Sequence, residues 1–444
     1  MVELSIKYWP VDRLKPYEKN PRKNDGAVDR MVVALREFGF RVPILAKNDG
    51  EIVDGHLRLK AAIAIGMTEV PVLPTDGLTD EQVRALRLLL NRSATWASWD
   101  EERLAKEIAL LVAENFDISL TGFDQHELDK LLKYGASGDP DAVPDPPQQP
   151  LVRPGELWLL GKHRLYCGDA TKIEDVDLLF GDSLTLADMI WTDPPYNVDY
   201  EGQAGKIAGD KMTAAEFDYF LADAFGIMFA AIKTGGAIYV AHSEAGDGLA
   251  FRRAFQAARF RFASCLIWNK GQAVLGRGDY HWQHEPILYG WKPGAPHKWH
   301  GNRQPKTVLQ AGLPGIAAQD DGSFTLLIDG RLYRLFGDNL RVEETPGTVI
   351  NIPKPNKSEL HPTTKPVDLV AHCVANSSAT GDVVLDPFGG SGSTLIACER
   401  LCRRCFSLEI DPRFTQVQIE RWQDFSGQRA VRDADGIFFD ELKA

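Results

Sequence analysis

Val383-Val384-Leu385-Asp386-Pro387-Phe388-Gly389-Gly390-Ser391-Gly392-Ser393-Thr394 is the stretch that decides the fold. Its start reads as a buried strand, its glycines as a tight turn, and the following STLIACERL as a helix. Glycine lets a backbone approach a ligand closely, and the first helical turn offers unpaired N–H groups. Seventeen residues past Gly392 the next strand ends at Glu409. Open α/β sheets place an acid on ribose hydroxyls at that position. Strand, turn, helix, strand and acid in this order point to a cofactor-binding unit. A dinucleotide site would instead show the GxGxxG spacing.

The pattern continues outward. ADMIWTDPP (187–195) is an apolar strand ending in a Pro-Pro turn, 213–233 an amphipathic helix, and GGAIYVAH, RFASCLIWNK and HEPILYGW further strands. GELWLL and HRLYCGD read as a hairpin, and a helix over about 364–378 leads into the Gly-rich strand. Such alternation predicts an α/β fold with a mainly parallel sheet. Asp193-Pro194-Pro195-Tyr196 then sits at a strand's carboxyl end, where such sheets hold ligands. Two prolines fix the backbone and aim both flanking side chains. The Asp193 carboxylate and the Pro194 carbonyl can accept both hydrogens of an exocyclic amino group, and Tyr196 offers a face on which an extruded base stacks.

The chain has 444 residues and a net charge of −12, the wrong sign for a protein that coats nucleic acid. The basic charge is concentrated, however: residues 251–310 hold ten Lys or Arg against only Asp279 and Glu285, with four Trp and four His. A basic, aromatic-rich island suits a nucleic-acid cleft, and Lys270, Arg277, His284, Lys298 and Arg303 are its candidate DNA contacts. The bland alternative is a solvated face over a Trp-rich core. Six Cys are too few for a disulfide framework, no apolar run is long enough to cross a membrane, and the first residues form no signal peptide. A cytoplasmic protein is expected. Cys398, Cys402 and Cys405 run from a helix into a strand and cannot easily converge on one ion, so no metal is expected.

The Pro- and Asp-rich stretch 135–150 reads as an extended linker. Upstream, residues 1–95 suggest a small α+β domain and 96–134 a helical arm. Downstream, 151–425 form the α/β domain, with an apparent insertion at 304–347 containing a hairpin (Phe324–Ile328, Arg331–Leu335), and 426–444 form a tail.

The Gly-rich turn and the tetrad together resemble the amino-methylating DNA methyltransferases of the permuted β class. Leu165–Ala170, Trp282–Leu288 and His361–Pro366 resemble further segments of that family, in its order. The resemblance implies a Rossmann-like sheet holding S-adenosyl-L-methionine (SAM) and a methyl transfer to N6 of adenine in double-stranded DNA, with base flipping. N4 of cytosine is the runner-up, since both amino groups present the same two hydrogens. Protein glutamine methylation is disfavoured, because the related tetrad begins with Asn. It further implies catalytic Asp193, Pro194, Pro195 and Tyr196. Around the cofactor it implies Asp169, Ala170, Lys365, Asp386, Pro387, Phe388, Gly389, Gly390, Ser391, Gly392 and Glu409. A homodimer is the family's habit. Ser407-Leu408-Glu409 departs from a frequent Gly-x-Glu.

Asn20-Pro21-Arg22 and Val53–Ala62 resemble the ParB/sulfiredoxin-like fold, with a turn at Gly55, His56 and Arg58 opening a helix. Two readings stand for it: a nucleotide or DNA-phosphate site, or a docking module. No helix-turn-helix is evident in the arm, and a sulfiredoxin-type reductase is excluded because the domain has no Cys. Fusion of the two domains resembles phage and prophage genes. A different class of function, a nucleotide-gated DNA-binding protein with a vestigial methyltransferase, conflicts with the intact tetrad and Gly-rich turn.

Overall fold

The computed structural model describes residues 4–20, 22, 25–93, 96–114, 116–134, 139–181, 185–199, 201–202, 205–206, 210–243, 248–274, 282–300, 316–318, 324–328, 331–335, 349–351 and 364–443. The chain divides into two units, Met1–Gly135 and Ala136–Ala444.

The first unit is built on a four-stranded mixed sheet of β1 (Lys7–Pro10), β2 (Ile44–Ala46), β3 (Ile52–Asp54) and β4 (Glu69–Pro74), in the order β1-β4-β2-β3. Helices α1 (Val28–Phe38) and α2 (His56–Ala64) help bury Trp9, Ile44, Ile52, Leu59, Val70 and Val72. Three more helices complete the unit: α3 (Asp80–Ser93), α4 (Glu101–Ala113) and α5 (Gln125–Tyr134).

The second unit carries a ten-stranded sheet. Its strands, in chain order, begin with β5 (Leu157–Leu160), β6 (His163–Cys167) and β7 (Ala187–Thr192). After the small hairpin β8 (Glu201–Gly202) and β9 (Gly205–Lys206) come β10 (Ile232–Ala241), β11 (Arg261–Val274) and β12 (Trp282–Trp291). A separate three-stranded sheet of β13 (Ile316–Ala318), β14 (Phe324–Ile328) and β15 (Arg331–Leu335) includes the expected hairpin, with Phe324 opposite Leu335. The main sheet resumes with β16 (Val349–Asn351), β17 (Val383–Asp386), β18 (Arg404–Glu409) and β19 (Val431–Arg432). Its spatial order is β16-β11-β12-β10-β7-β17-β18-β6-β5-β19.

The central strands β10, β7, β17, β18 and β6 are parallel, as the alternation of strands and helices requires, and β12 and β5 run antiparallel to their neighbours. Every residue of β7 and β17 is buried, which is why both read as mainly apolar rather than alternating, with Asp188 and Asp386 as buried acids near their ends. Successive side chains still part to opposite faces. Met189 and Trp191 join the core beneath α9 (Val367–Ser377), α10 (Ser393–Arg400) and α11 (Pro412–Ser426), while Ile190 joins the one beneath α6 (Ile173–Phe180), α7 (Ala214–Ala231) and α8 (Gly248–Ala257). Thr213 and Glu216 form a capping box that starts α7.

The sheet order explains how motifs some 190 residues apart in the chain make one site. β7 pairs directly with β17, Met189 opposite Val384 and Ile190 opposite Leu385. The tetrad and the Gly-rich turn therefore leave the same sheet edge side by side.

The segment expected to be an extended linker is tied down at Pro140 and Asp141. Asp141 Oδ1 accepts from the Val367 N–H at 2.8 Å, capping α9, and Pro140 O accepts from Arg421 Nη2 at 2.8 Å. Arg421 is buried and must find acceptors; composition could not reveal that the linker supplies one. No helix among the described residues is long and apolar enough to cross a membrane.

Candidate active site

The Gly-rich turn is shaped by its own polar groups. Asp386 Oδ1 accepts from Phe388 N at 3.1 Å and Oδ2 from Thr394 Oγ1 at 2.5 Å, so both oxygens close the turn onto α10. Glu409, at the end of β18, accepts from Gly390 N at 2.7 Å and from Asp411 N at 2.9 Å. Burial pushes both acids up, each to about 7. Gly389 is pressed against Ser407 Oγ and the Gln418 amide, leaving no room for a Cβ, and Gly390 holds φ +51 beside open space. The turn thus needs glycine for sterics at one position and for backbone conformation at the next. Ser407, the departure from Gly-x-Glu, bonds Gln418 Oε1 at 3.2 Å.

Asp169 and Ala170 are brought to the same edge because β6 pairs with β18, Cys167 opposite Glu409. Gly168 N donates to Glu409 O, and Asp169 Oδ1 accepts from Thr171 N and Oγ1, holding the loop. On the other side, Phe388 meets Phe220 edge-on at 5.7 Å.

At the end of β7 the tetrad is engaged by neighbours. Tyr196 OH donates to Asp193 Oδ1 at 2.6 Å, and its ring lies edge-on to Phe251 at 6.1 Å. Lys365 Nζ donates to Asp193 Oδ2 at 2.6 Å and to Tyr196 OH at 3.0 Å. Burial raises the Asp193 carboxyl above its usual range; Lys365 opposes this and Glu285 adds to it. Burial opposes the Lys365 charge, but Asp193 and Glu285 outweigh it and keep the amine protonated.

The side chain of Lys365 therefore lies at the tetrad, whereas the sequence assigned it to the cofactor. Its backbone does support the Gly-rich turn, since Lys365 O accepts from Ser393 Oγ at 2.6 Å. Glu285, from β12, completes the cluster and was not a sequence candidate. Its Oε1 meets Lys270 Nζ at 2.5 Å and its Oε2 lies 3.3 Å from Lys365 Nζ. A signal existed: it is one of two acids among ten cations in residues 251–310, at the head of an apolar run.

Two of the DNA candidates are engaged within the protein itself. Lys298 ion-pairs with Asp188 at 2.9 Å and Asp382 at 3.5 Å, the residues that start β7 and adjoin the start of β17. It sits at the amino ends of these strands, opposite the tetrad, and neutralises buried Asp188 together with Lys233. Lys270 is held by Glu285, near the Trp268 ring, with its side chain only 13% exposed, so it lines the pocket rather than an outer phosphate track. His284 stands opposite Asn269 in the β11–β12 ladder. Arg277, Arg303 and His361–Thr363 lie outside the described residues.

In the N-terminal unit Gly55 opens α2 at φ +105. His56 Nε2 accepts from Tyr17 N at 3.1 Å, and burial, then the Arg87 charge, lower its pKa. Arg58 is taken by Asp54 at 2.6 Å. Arg87, which the sequence did not single out, is buried against Glu51 at 3.0 Å and stacks on Tyr17.

A family model described as DNA methylase matches residues 187–420, more than half of the chain. A second, described as a ParB-methyltransferase HTH domain, matches residues 102–154. The latter corrects the expectation of no helix-turn-helix: α4 and α5 are joined through a 3-10 turn at Ile118–Thr121 followed by Gly122, a longer connection than the short turn that gives the motif away. In Escherichia coli K12, the ParB-like nuclease domain-containing protein YnaK is 41% identical over 81 residues, 18% of this chain and 93% of the relative. The DNA adenine methyltransferase YhdJ of the same strain is 26% identical over 242 residues, 53% of this chain and 75% of the relative. The solved M1.HpyAVI–SAM complex is 20% identical, spans 58% of this chain and 97% of its own, and superposes with a TM-score of 0.37, too loosely to bear on geometry. The chain belongs to the N6/N4 DNA methylase family, with a ParB-like segment preceding the methylase region.

Proposed function

We propose that the protein transfers the methyl group of SAM to the exocyclic N6 of adenine in a specific DNA sequence, after rotating the base out of the duplex. The observation that carries this is the adjacency of β7 and β17, which sets the Asp193 carboxylate beside the Gly-rich turn. SAM supplies an electrophilic methyl on a sulfonium. The fit rests on the open space at Gly390 and on the buried Glu409 carboxyl, a partner for ribose hydroxyls. Asp193 and the Pro194 carbonyl accept the two amino hydrogens and keep the nitrogen lone pair aimed along one line, and Tyr196 stacks on the base. Asp193 also stabilises the positive charge that grows on the nitrogen.

The test is to incubate the protein with unmethylated DNA and isotopically labelled SAM, digest the product and identify the labelled nucleoside by mass spectrometry. N6-methyladenine is expected. N4-methylcytosine would keep the mechanism and overturn the base, and SAM binding without any labelled DNA would leave the vestigial alternative standing.

For the N-terminal unit we propose a phosphate or nucleotide site at the first turn of α2, which Gly55 opens in a left-handed conformation. Protection of this unit from proteolysis by nucleoside triphosphates tests it; equal cleavage with and without nucleotide contradicts it.

A further inference from the structure

We propose that Glu285 is a positioning residue, the second seat of Lys365, and that moving Lys365 from Asp193 to Glu285 is what opens the target pocket. The inference rests on the methyl-transfer reading above and concerns the same site. Lys365 Nζ now lies 2.6 Å from Asp193 Oδ2, the oxygen to which an incoming amino group donates. The ammonium and the substrate amine are both hydrogen-bond donors, so they compete for one acceptor. A buried ammonium that leaves its partner without finding another is strongly disfavoured. Glu285 removes that cost. Its Oε2 is 3.3 Å from Nζ, is buried and makes no aligned hydrogen bond, so it has an open acceptor position.

Glu285 is held for this role by the sheet. It stands opposite Trp268 in the β11–β12 ladder, and the next residue, Pro286, accepts from the His242 N–H just past the end of β10, the strand beside β7. Burial would otherwise protonate Glu285, but Lys365 and Lys270, the latter on Oε1, outweigh it and hold the carboxylate ionised. While Lys365 rests on Asp193 it occupies the oxygen that the amino group needs. Once Lys365 rests on Glu285, Asp193 Oδ2 is free to accept from the amino group.

The experiment is a double-mutant cycle read by labelled methyl transfer to unmethylated plasmid DNA, using Glu285→Gln, Lys365→Met and the pair in the full-length chain, with SAM affinity as the control for folding. In Glu285→Gln the lysine stays on Asp193, so KM for DNA rises about tenfold or more with SAM affinity unchanged. Glu285→Asp recovers part of the loss. In the Lys365→Met background Glu285→Gln has almost no further effect, because there is no lysine left to receive. A Glu285→Gln enzyme with wild-type kinetics, or equal effects with and without Lys365, overturns the proposal and leaves the methyltransferase reading intact. A wild-type protein that transfers no label to any DNA overturns both.

Discussion

The two strand ends that make the site are built on opposite plans. At β17 the turn satisfies itself: Asp386 and Glu409 each use both oxygens on Phe388, Thr394, Gly390 and Asp411. At β7 the polar groups face one another across the pocket, with Lys365 and Tyr196 on the oxygens of Asp193. One end is preorganised for a ligand and the other is occupied by the protein's own donors. The difference teaches that a small cofactor and a base extracted from a duplex pose different problems. The first needs a rigid cradle; the second needs an acceptor kept hydrogen-bonded until the base arrives.

This contrast can be broken by substitution. Asp193→Ala should lower methyl transfer by about 10²–10³-fold or more, the usual cost of losing a transition-state acceptor, while SAM binds as before. Parallel loss of SAM affinity in calorimetry would mean that the two ends are not separate. Gly389→Ala inverts the effect. Its Cβ collides with Ser407 and Gln418, so the turn must shift, with about 1–3 kcal/mol of lost stability in a thermal melt and weakened SAM binding. Unchanged SAM affinity would show that the turn is not a rigid cradle.

The acids of the turn predict a pH effect. Glu409 titrates at about 7 in the folded protein against an ordinary 4.5, and Asp386 at about 7 against 3.8. A raised acid stabilises the fold in its protonated form, so this contribution is complete below the ordinary values and is lost as pH rises toward 7. Melting temperature of the SAM-free protein should therefore fall over that window. SAM affinity should move the other way, by about tenfold between pH 6 and 8, because ribose hydroxyls favour the ionised Glu409. Parallel pH trends would remove Glu409 from the cofactor site.

The smallest effect concerns the docked linker. Asp141→Ala removes the cap of α9 and should cost about 1 kcal/mol in a melt, the usual value of a helix cap. A melt unchanged by the substitution would show that the linker lies on the methyltransferase unit without holding it.

What the sequence revealed follows the same division. The Gly-rich unit was legible because its order of strand, turn, helix and acid is local, and glycine spacing records backbone geometry directly. The tetrad could be read only together with the Gly-rich turn, because the four residues alone also occur by chance in a rigid turn. Glu285 was marked only by its place in Trp282–Leu288 and by its rarity in a basic stretch, since its partners are fixed only once β12 is known to lie two strands from β7. Lys298 is an exposed cation in a basic stretch, and its pairing with Asp188 and Asp382 had no signature because both acids lie far from it in the chain. Lys365 has a backbone that supports the cofactor turn and a side chain that reaches the tetrad, a separation no linear pattern encodes. The tie at Pro140 was hidden because Arg421, which holds Pro140 O, also holds Ser391 O at 2.9 Å and lies 281 residues away.

The most direct measurement is therefore calorimetric titration of SAM into the wild-type protein and Lys365→Met, with methyl transfer to DNA followed on the same samples. The account predicts SAM affinity within about threefold of wild type and a changed KM for DNA, because the Lys365 side chain serves the target end. A fall of about tenfold or more in SAM affinity, with DNA kinetics at saturating SAM unchanged, would return Lys365 to the cofactor and contradict the division of the site into a preformed and a self-occupied half.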